Sequence, residues 1–115
     1  MPHIGKHIIL DLSGAQHLEE EDYIKHALEE AAKVCGATVI GTKLHKFGGK
    51  GGITGVVMLA ESHITIHTWP ERSYIALDIF MCGACDPENA IDHLEKAFKP
   101  KDLNVTVIKR GRSGE

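Results

Sequence analysis

Apolar and polar positions along the chain change period several times, and each change marks an element. Gly5 to Leu12 is a short apolar run closed by Ser13-Gly14, which predicts a largely buried strand. Behind the acidic entry Glu19-Glu20-Glu21-Asp22, the residues Ile24, Leu28, Ala31, Ala32 and Cys35 recur at helical spacing, and Gly36 supplies the stop. A helix over about 20 to 35 follows, with one apolar stripe. Residues 37–46 return to strand character, Phe47 ends them, and Gly48-Gly49-Lys50-Gly51-Gly52 forms a flexible loop. Thr54 to Ala60 is apolar enough for a central strand. It runs almost unpunctuated into Glu61-Ser62-His63-Ile64-Thr65-Ile66-His67-Thr68-Trp69-Pro70-Glu71, a β-branched stretch that stops at Pro70.

From Tyr74 to Cys82 the alternation is clean: Ile75, Leu77, Ile79 and Met81 share one face, and Tyr74, Ala76, Asp78, Phe80 and Cys82 the other. Asp86-Pro87 reads as an N-cap and first helical residue. Ala90, Ile91, Leu94, Ala97 and Phe98 then form a stripe down to Lys99-Pro100. Leu103 to Ile108 is a last strand. The order β-α-β-β-β-α-β, in one domain of residues 1–115, predicts an α/β (α+β) two-layer sandwich with a mainly antiparallel sheet and both helices on one face. Two helices leave the other sheet face bare. With Trp69, Phe80 and Tyr74 near it, that face predicts a second copy of the chain as its cover.

The junction at Ala60-Glu61-Ser62 is unusual, because two strands joined tightly normally show Gly, Asn or Pro. A backbone made to turn without turn residues is a place to look for strain.

Composition narrows the classes. Apolar residues make up 43% and charged residues 25%, ordinary globular values, and the formal net charge is −3. A basic stretch occurs only at Lys109-Arg110-Gly111-Arg112, which argues against nucleic acid as a partner. No apolar run approaches the roughly 20 residues that spanning a bilayer takes, and the N-terminus lacks a signal-peptide segment, so the expected location is cytoplasmic and off the membrane. Three cysteines cannot all pair with one another, which fits a reducing compartment.

Several motifs compete for the chemistry. On a strand His63, Thr65, His67 and Trp69 point to one face, so the histidines of His63-x-x-x-His67 stand roughly 13 Å apart, too far to share one metal. Cys82-Gly83-Ala84-Cys85 lies between a strand and a helix N-terminus, where a thiolate is stabilised. Zinc would need a second ligand pair at comparable spacing, which Cys35 and the scattered histidines do not supply. The glycine loop lacks the Gly-Lys-Ser/Thr ending of a phosphate-binding loop and precedes a strand. Ser62, by itself, reads as a hydroxyl at a strand start.

The run from Glu61 to Glu71, followed by Phe80-Met81-Cys82-Gly83, resembles the short prokaryotic S-adenosylmethionine decarboxylase proenzymes. The likeness extends to the Gly-Lys-His opening, Gly-Ala-Thr-Val after the first helix, His45-Lys46-Phe47 before the loop, and Gly-Arg near the C-terminus. The resemblance implies self-cleavage between Glu61 and Ser62, giving a β chain of residues 1–61 and an α chain of residues 62–115. Ser62 then becomes a covalent pyruvoyl cofactor that condenses with the substrate amine. His67 is implied as the processing base, Cys82 as the proton donor, Phe47 as the adenine-stacking ring with His67 opposite, Glu71 as the ribose-binding acid and Trp69 as a pocket wall. Thr54 stands about where the family pattern has a processing serine. A homodimer sharing its sites is implied, as is decarboxylation of S-adenosylmethionine for spermidine synthesis. Relatives that decarboxylate arginine or ornithine, an unprocessed non-catalytic relative, and a thiol-disulfide protein using Cys82 and Cys85 are the rivals.

Overall fold

The computed structural model describes residues 4–48 and 51–111. Its elements are β1 (Gly5–Ser13), α1 (Glu21–Val34), β2 (Val39–Lys46), β3 (Ile53–Leu59), β4 (Ser62–Trp69), β5 (Tyr74–Cys82), α2 (Glu88–Phe98) and β6 (Asp102–Arg110), with a short 3-10 turn at Pro70–Arg72. The expected order holds throughout. All six strands form one antiparallel sheet in the order β2-β3-β4-β5-β1-β6. Hairpins join β2 to β3, β3 to β4 and β4 to β5, so the chemistry-rich β4 falls in the interior of the sheet.

Period-2 alternation sorts the side chains. On one face Ile8, Leu10 and Leu12 of β1, Ile64 and Ile66 of β4, and Ile75, Leu77, Ile79 and Met81 of β5 are buried. Against them pack Ile24, Ala27, Leu28, Ala31 and Ala32 of α1 and Ala90, Leu94 and Phe98 of α2. Burying one such aliphatic side chain is worth about 1.5–3 kcal/mol, so this layer carries most of the stabilisation. Thr68 is the buried polar residue here: its hydroxyl donates to the Leu18 carbonyl and accepts from the Ile53 N–H, both at 2.8 Å. That pair of bonds ties the far end of β4 to β3 and to the segment before α1.

No helix among the described residues is long and apolar enough to cross a membrane. One expectation fails at α2. The helix begins at Glu88, Pro87 holds the cap position, and no side-chain cap bond forms, so Asp86 is not the N-cap. The backbone explains it: Asp86 and Pro87 carbonyls accept from Asn89 and Ala90 N–H in tight four-residue turns, which satisfy these two N–H groups without a carboxylate. The part of the glycine loop at 49 and 50 lies outside the described residues.

Candidate active site

The bend between β3 and β4 is a two-residue hairpin, since Leu59 pairs with Ser62 across Ala60-Glu61. Glu61 sits in the left-handed region with φ 63°. An L-residue there costs on the order of 1–2 kcal/mol that glycine would not. The strain anticipated from the missing turn residues is thus localised on one residue, and its carbonyl begins the peptide bond to Ser62.

Ser62 is half-buried, and its Oγ accepts a hydrogen bond from the backbone N–H of Cys82 at 3.3 Å. Two residues far apart in sequence, Ser62 and Cys82, therefore meet at one end of the β4-β5 ladder. Beside them a cavity of about 580 Å³ opens among Gly5, Lys6, Cys35, Cys82 and Cys85. Lys6 closes on Glu88 at 2.9 Å and, with that hydrogen bond, holds the Glu88 carboxyl below its usual range. The Cys85 thiol is pushed up, first by burial and then by Cys82, with which it shares a hydrogen bond; burial pushes Cys35 up to about 11. Burial and Cys82 thus disfavour the Cys85 thiolate, the opposite of the lowered thiol that disulfide exchange calls for.

The open face is organised in rows set by strand register. Gly41, Met58, His63, Phe80, His7 and Ile108 span the sheet at the level of Ser62. Two residues further on come Lys43, Val56, Thr65, Asp78 and Ile9, and after them His45, Thr54, His67, Ala76 and Asp11. Same-face rows are about 6.7 Å apart. In the third row Thr54 Oγ1 lies 3.2 Å from His67 Nδ1. Beyond it Trp69 stacks obliquely on His67 and on Tyr74, with ring centroids 6.1 and 5.4 Å apart. The Tyr74 hydroxyl donates to Asp11, and that bond, with some burial, lifts its pKa to about 12. Phe47 is 54% exposed and packs edge-on against His45 at 4.5 Å. Glu71 lies exposed in the 3-10 turn after Trp69. His67 and Thr65 line two shallow cavities, of about 240 and 310 Å³.

The sequence reading named Ser62, Cys82, Thr54, His67, Trp69, Glu71 and Phe47, and the structure divides them. Ser62 and Cys82 share one end of β4; Thr54, His67, Trp69 and Glu71 share the other. Ser62 and His67 are five residues apart on one strand, roughly 16 Å, and on opposite faces. What the sequence reading missed is the centre of the face. Asp78 Oδ2 accepts from His7 Nε2 at 2.6 Å and from His63 Nε2 at 3.0 Å, and its Oδ1 accepts from the Thr65 hydroxyl. Burial pushes the Asp78 carboxyl up, but these hydrogen bonds outweigh it and hold it below the ordinary carboxylate range. The available signal was a carboxylate in the middle of an otherwise apolar strand, on the same face as the histidines.

His7, His63 and Asp78 place donor atoms within 4.8 Å of one another, close enough for a metal. The outer partner is of the wrong kind, however. Arg110 Nη1 lies 3.2 Å from His7 Nδ1 and can only donate, which fixes the His7 proton on Nε2, pointing at Asp78. A metal-ligating histidine instead donates its second N–H to an acceptor. The cluster is a satisfied hydrogen-bond network.

Fold and site together define a two-layer α/β sandwich with its reactive groups on the bare sheet face and at the tight turn that enters it. Residues 6–111 match the family model described as S-adenosylmethionine decarboxylase. A protein of Methanococcus maripaludis strain S2, named S-adenosylmethionine decarboxylase proenzyme, is 50% identical over 96% of this chain and 93% of its own length. One of the same name from Thermotoga petrophila is 39% identical over 100% of this chain and 90% of its own. The crystal structure of the adenosylmethionine decarboxylase from Aquifex aeolicus superposes with a TM-score of 0.86 at 35% identity, covering 96% of this chain and 93% of that one. The chain belongs to the S-adenosylmethionine decarboxylase family.

Proposed function

We propose that this protein is a proenzyme that cuts itself between Glu61 and Ser62, into a β chain of residues 1–61 and an α chain of residues 62–115, and then acts as a carboxy-lyase on S-adenosylmethionine. The observation that carries the reading is the hairpin, where a left-handed Glu61 precedes a half-buried serine hydroxyl held by the Cys82 N–H. Ser62 Oγ attacks the Glu61 carbonyl carbon, and the C–N bond breaks to leave an ester and a free Ser62 amine. Loss of the Ser62 Cα proton then expels Glu61 as a carboxylate that carries Oγ away, and the dehydroalanine left behind tautomerises to an imine that water hydrolyses to a ketone, releasing the Ser62 nitrogen as ammonia. A neutral imidazole suits that proton transfer, and His67, with Thr54 on its Nδ1, is the candidate.

Ser62 is in this reading the precursor of a pyruvoyl group, and its surroundings fit one: the residue can lose its hydroxyl, and the backbone N–H of Cys82 points at it. That ketone supplies a carbonyl that condenses with the substrate α-amine and takes up the electron pair released with CO₂. Cys82 donates the proton that replaces the lost carboxylate. Phe47 and His67 hold the adenine between them, Trp69 lines the pocket, and Glu71 takes the ribose hydroxyls. Aromatic faces suit the sulfonium cation.

The separation of Ser62 from His67 within a chain supports a homodimer of αβ units in which these groups meet across the interface. The bare, histidine-bearing sheet face supports that assembly. A cytoplasmic location and a place in spermidine synthesis belong to the same reading; the three free thiols fit a reducing compartment.

Denaturing mass spectrometry of the purified protein tests it. Two fragments are expected, the smaller beginning with a carbonyl-blocked residue 62, and Ser62→Ala should give one uncut chain; a wild-type chain of full mass overturns the reading. Parallel assays of CO₂ release from S-adenosylmethionine, arginine and ornithine decide the substrate. Cys82→Ala should leave cleavage intact and slow CO₂ release by about 10²–10⁴-fold. Cys85→Ser should change neither by more than about twofold, since its raised thiol takes no part; equal losses in the two variants would restore the thiol-disulfide rival.

A further inference from the structure

Maturation, on the reading above, removes two of the features that now fix the start of β4. The peptide bond to Glu61 is cut, so the hairpin no longer ties Ser62 to Leu59 across the turn. The Ser62 hydroxyl leaves with Glu61, so the bond from the Cys82 N–H to Oγ is lost as well. A strand that begins as a free end frays unless something holds it. Yet the reactive carbonyl is the first residue of that new end, and a misplacement of about 1 Å costs a catalyst roughly 10²-fold.

The first side chain after the cut is His63. Its Nε2 bonds Asp78 Oδ2 at 3.0 Å, and its ring lies over Phe80, its cross-strand partner, with centroids 6.0 Å apart. Thr65, two residues on and on the same face, donates to the other Asp78 oxygen. One carboxylate on β5 thus grips the first two open-face residues of β4. Asp78 is itself held by His7 Nε2 at 2.6 Å, whose tautomer Arg110 fixes from the far side, and Arg110 also covers the Phe80 ring at 5.7 Å. The network runs from β4 through β5 and β1 to β6, so the free end is tied to three further strands.

We infer that Asp78, through His63 and Thr65, is a positioning residue that clamps the new N-terminus of the α chain after cleavage. The inference rests on the cleavage reading and adds to it a role for the Asp78 cluster. Before the cut the hairpin already holds residue 62, and the clamp is redundant. After the cut it is the side-chain anchor nearest the reactive residue.

Amide hydrogen exchange of residues 63–66 tests the difference. Asp78→Asn is compared with the native residue in two backgrounds: the processed protein and the uncut Ser62→Ala precursor. In the processed protein Asp78→Asn should speed exchange at 63–66 by about tenfold or more, the loss expected for hydrogen bonds to a charged group. In the Ser62→Ala precursor the change should stay within about twofold. Equal acceleration in both backgrounds, or none in the processed protein, overturns the clamp. Should Asp78→Asn not process, His63→Phe keeps the ring over Phe80 and removes one bond to Asp78, with the same pattern expected. Fragment masses keep the two ideas apart: a wild-type chain that never cuts sinks the cleavage reading and the clamp with it, whereas cut protein with background-independent exchange sinks the clamp alone.

Discussion

The two ends of β4 differ in kind. At the Ser62 end the backbone carries the peculiarity: a left-handed Glu61, a serine hydroxyl held by a main-chain N–H, and Cys82 beside it. At the Trp69 end the backbone is ordinary and the side chains carry it, with Thr54 on His67, Trp69 between His67 and Tyr74, and Glu71 beyond. On the proposed function, one end is where a bond breaks, and the other binds and moves protons. A strand of eight residues keeps them apart, so neither end is a whole site. On the proposed dimer, the half-sites become complete when the bare sheet face of a second chain brings its Trp69 end to the Ser62 end of the first.

Complementation breaks or sharpens that comparison most forcefully. Ser62→Ala alone should abolish cleavage, and His67→Ala alone should slow it by about 10²-fold or more, the usual worth of a positioned base. Co-expressed, they should form mixed dimers in which the native Ser62 of one chain faces the native His67 of the other. Only the His67→Ala chain should then be cut, at a rate near that of wild type, as read from fragment masses. If each site lay within one chain, no chain in the mixture would carry both groups, and co-expression would rescue nothing.

An intermediate effect separates backbone from side chain at the Ser62 end. Glu61→Gly keeps the turn and removes the left-handed penalty, so the precursor should gain about 1 kcal/mol in denaturant unfolding. If that strain is relieved as the carbonyl is attacked, cleavage should slow by about fivefold. Unchanged cleavage with a stabilised precursor would mean that the strained turn is incidental to the cut.

These ends were not equally legible in the sequence. Alternation alone assigned the faces of β4 and β5 correctly, because one-sided burial leaves a period-2 imprint that a slipped register would destroy. The strain at Glu61 was visible as a missing glycine in a tight bend. The resemblance supplied the names of the site residues, but not their division between two ends, since a pattern of residues carries no distances. Asp78 stayed hidden because its partners, His7, His63 and Thr65, come from β1 and β4, and only the sheet order β4-β5-β1 places them around one carboxylate. Asp86 misled for a different reason: Asp-Pro before an apolar stripe resembles a capped helix start, whereas here two tight turns use the backbone instead.

The smallest expected effect belongs to the Trp69 end. Tyr74 donates to Asp11, and that bond raises its pKa to about 12 from an ordinary value of 10.0. A group whose folded pKa lies above its unfolded one contributes stability that is fully present below the unfolded value and is lost as pH rises through the folded value. Tyr74 should therefore support the fold up to about pH 10 and cease to do so by about pH 12. Lysines titrate over the same interval, so the wild-type curve alone cannot isolate it; the difference from Tyr74→Phe can. Below pH 10 the variant should be less stable by about 1 kcal/mol or less, a modest sum because the pair is only partly buried. The gap in denaturant midpoint should close by about pH 12. Tyr74 also backs Trp69 with its ring, which phenylalanine retains, so adenine binding should be nearly unchanged while the alkaline difference vanishes. A gap that persisted through pH 12 would show that the hydroxyl acts through packing, and the bond to Asp11 would then have no part in holding this end of the sheet.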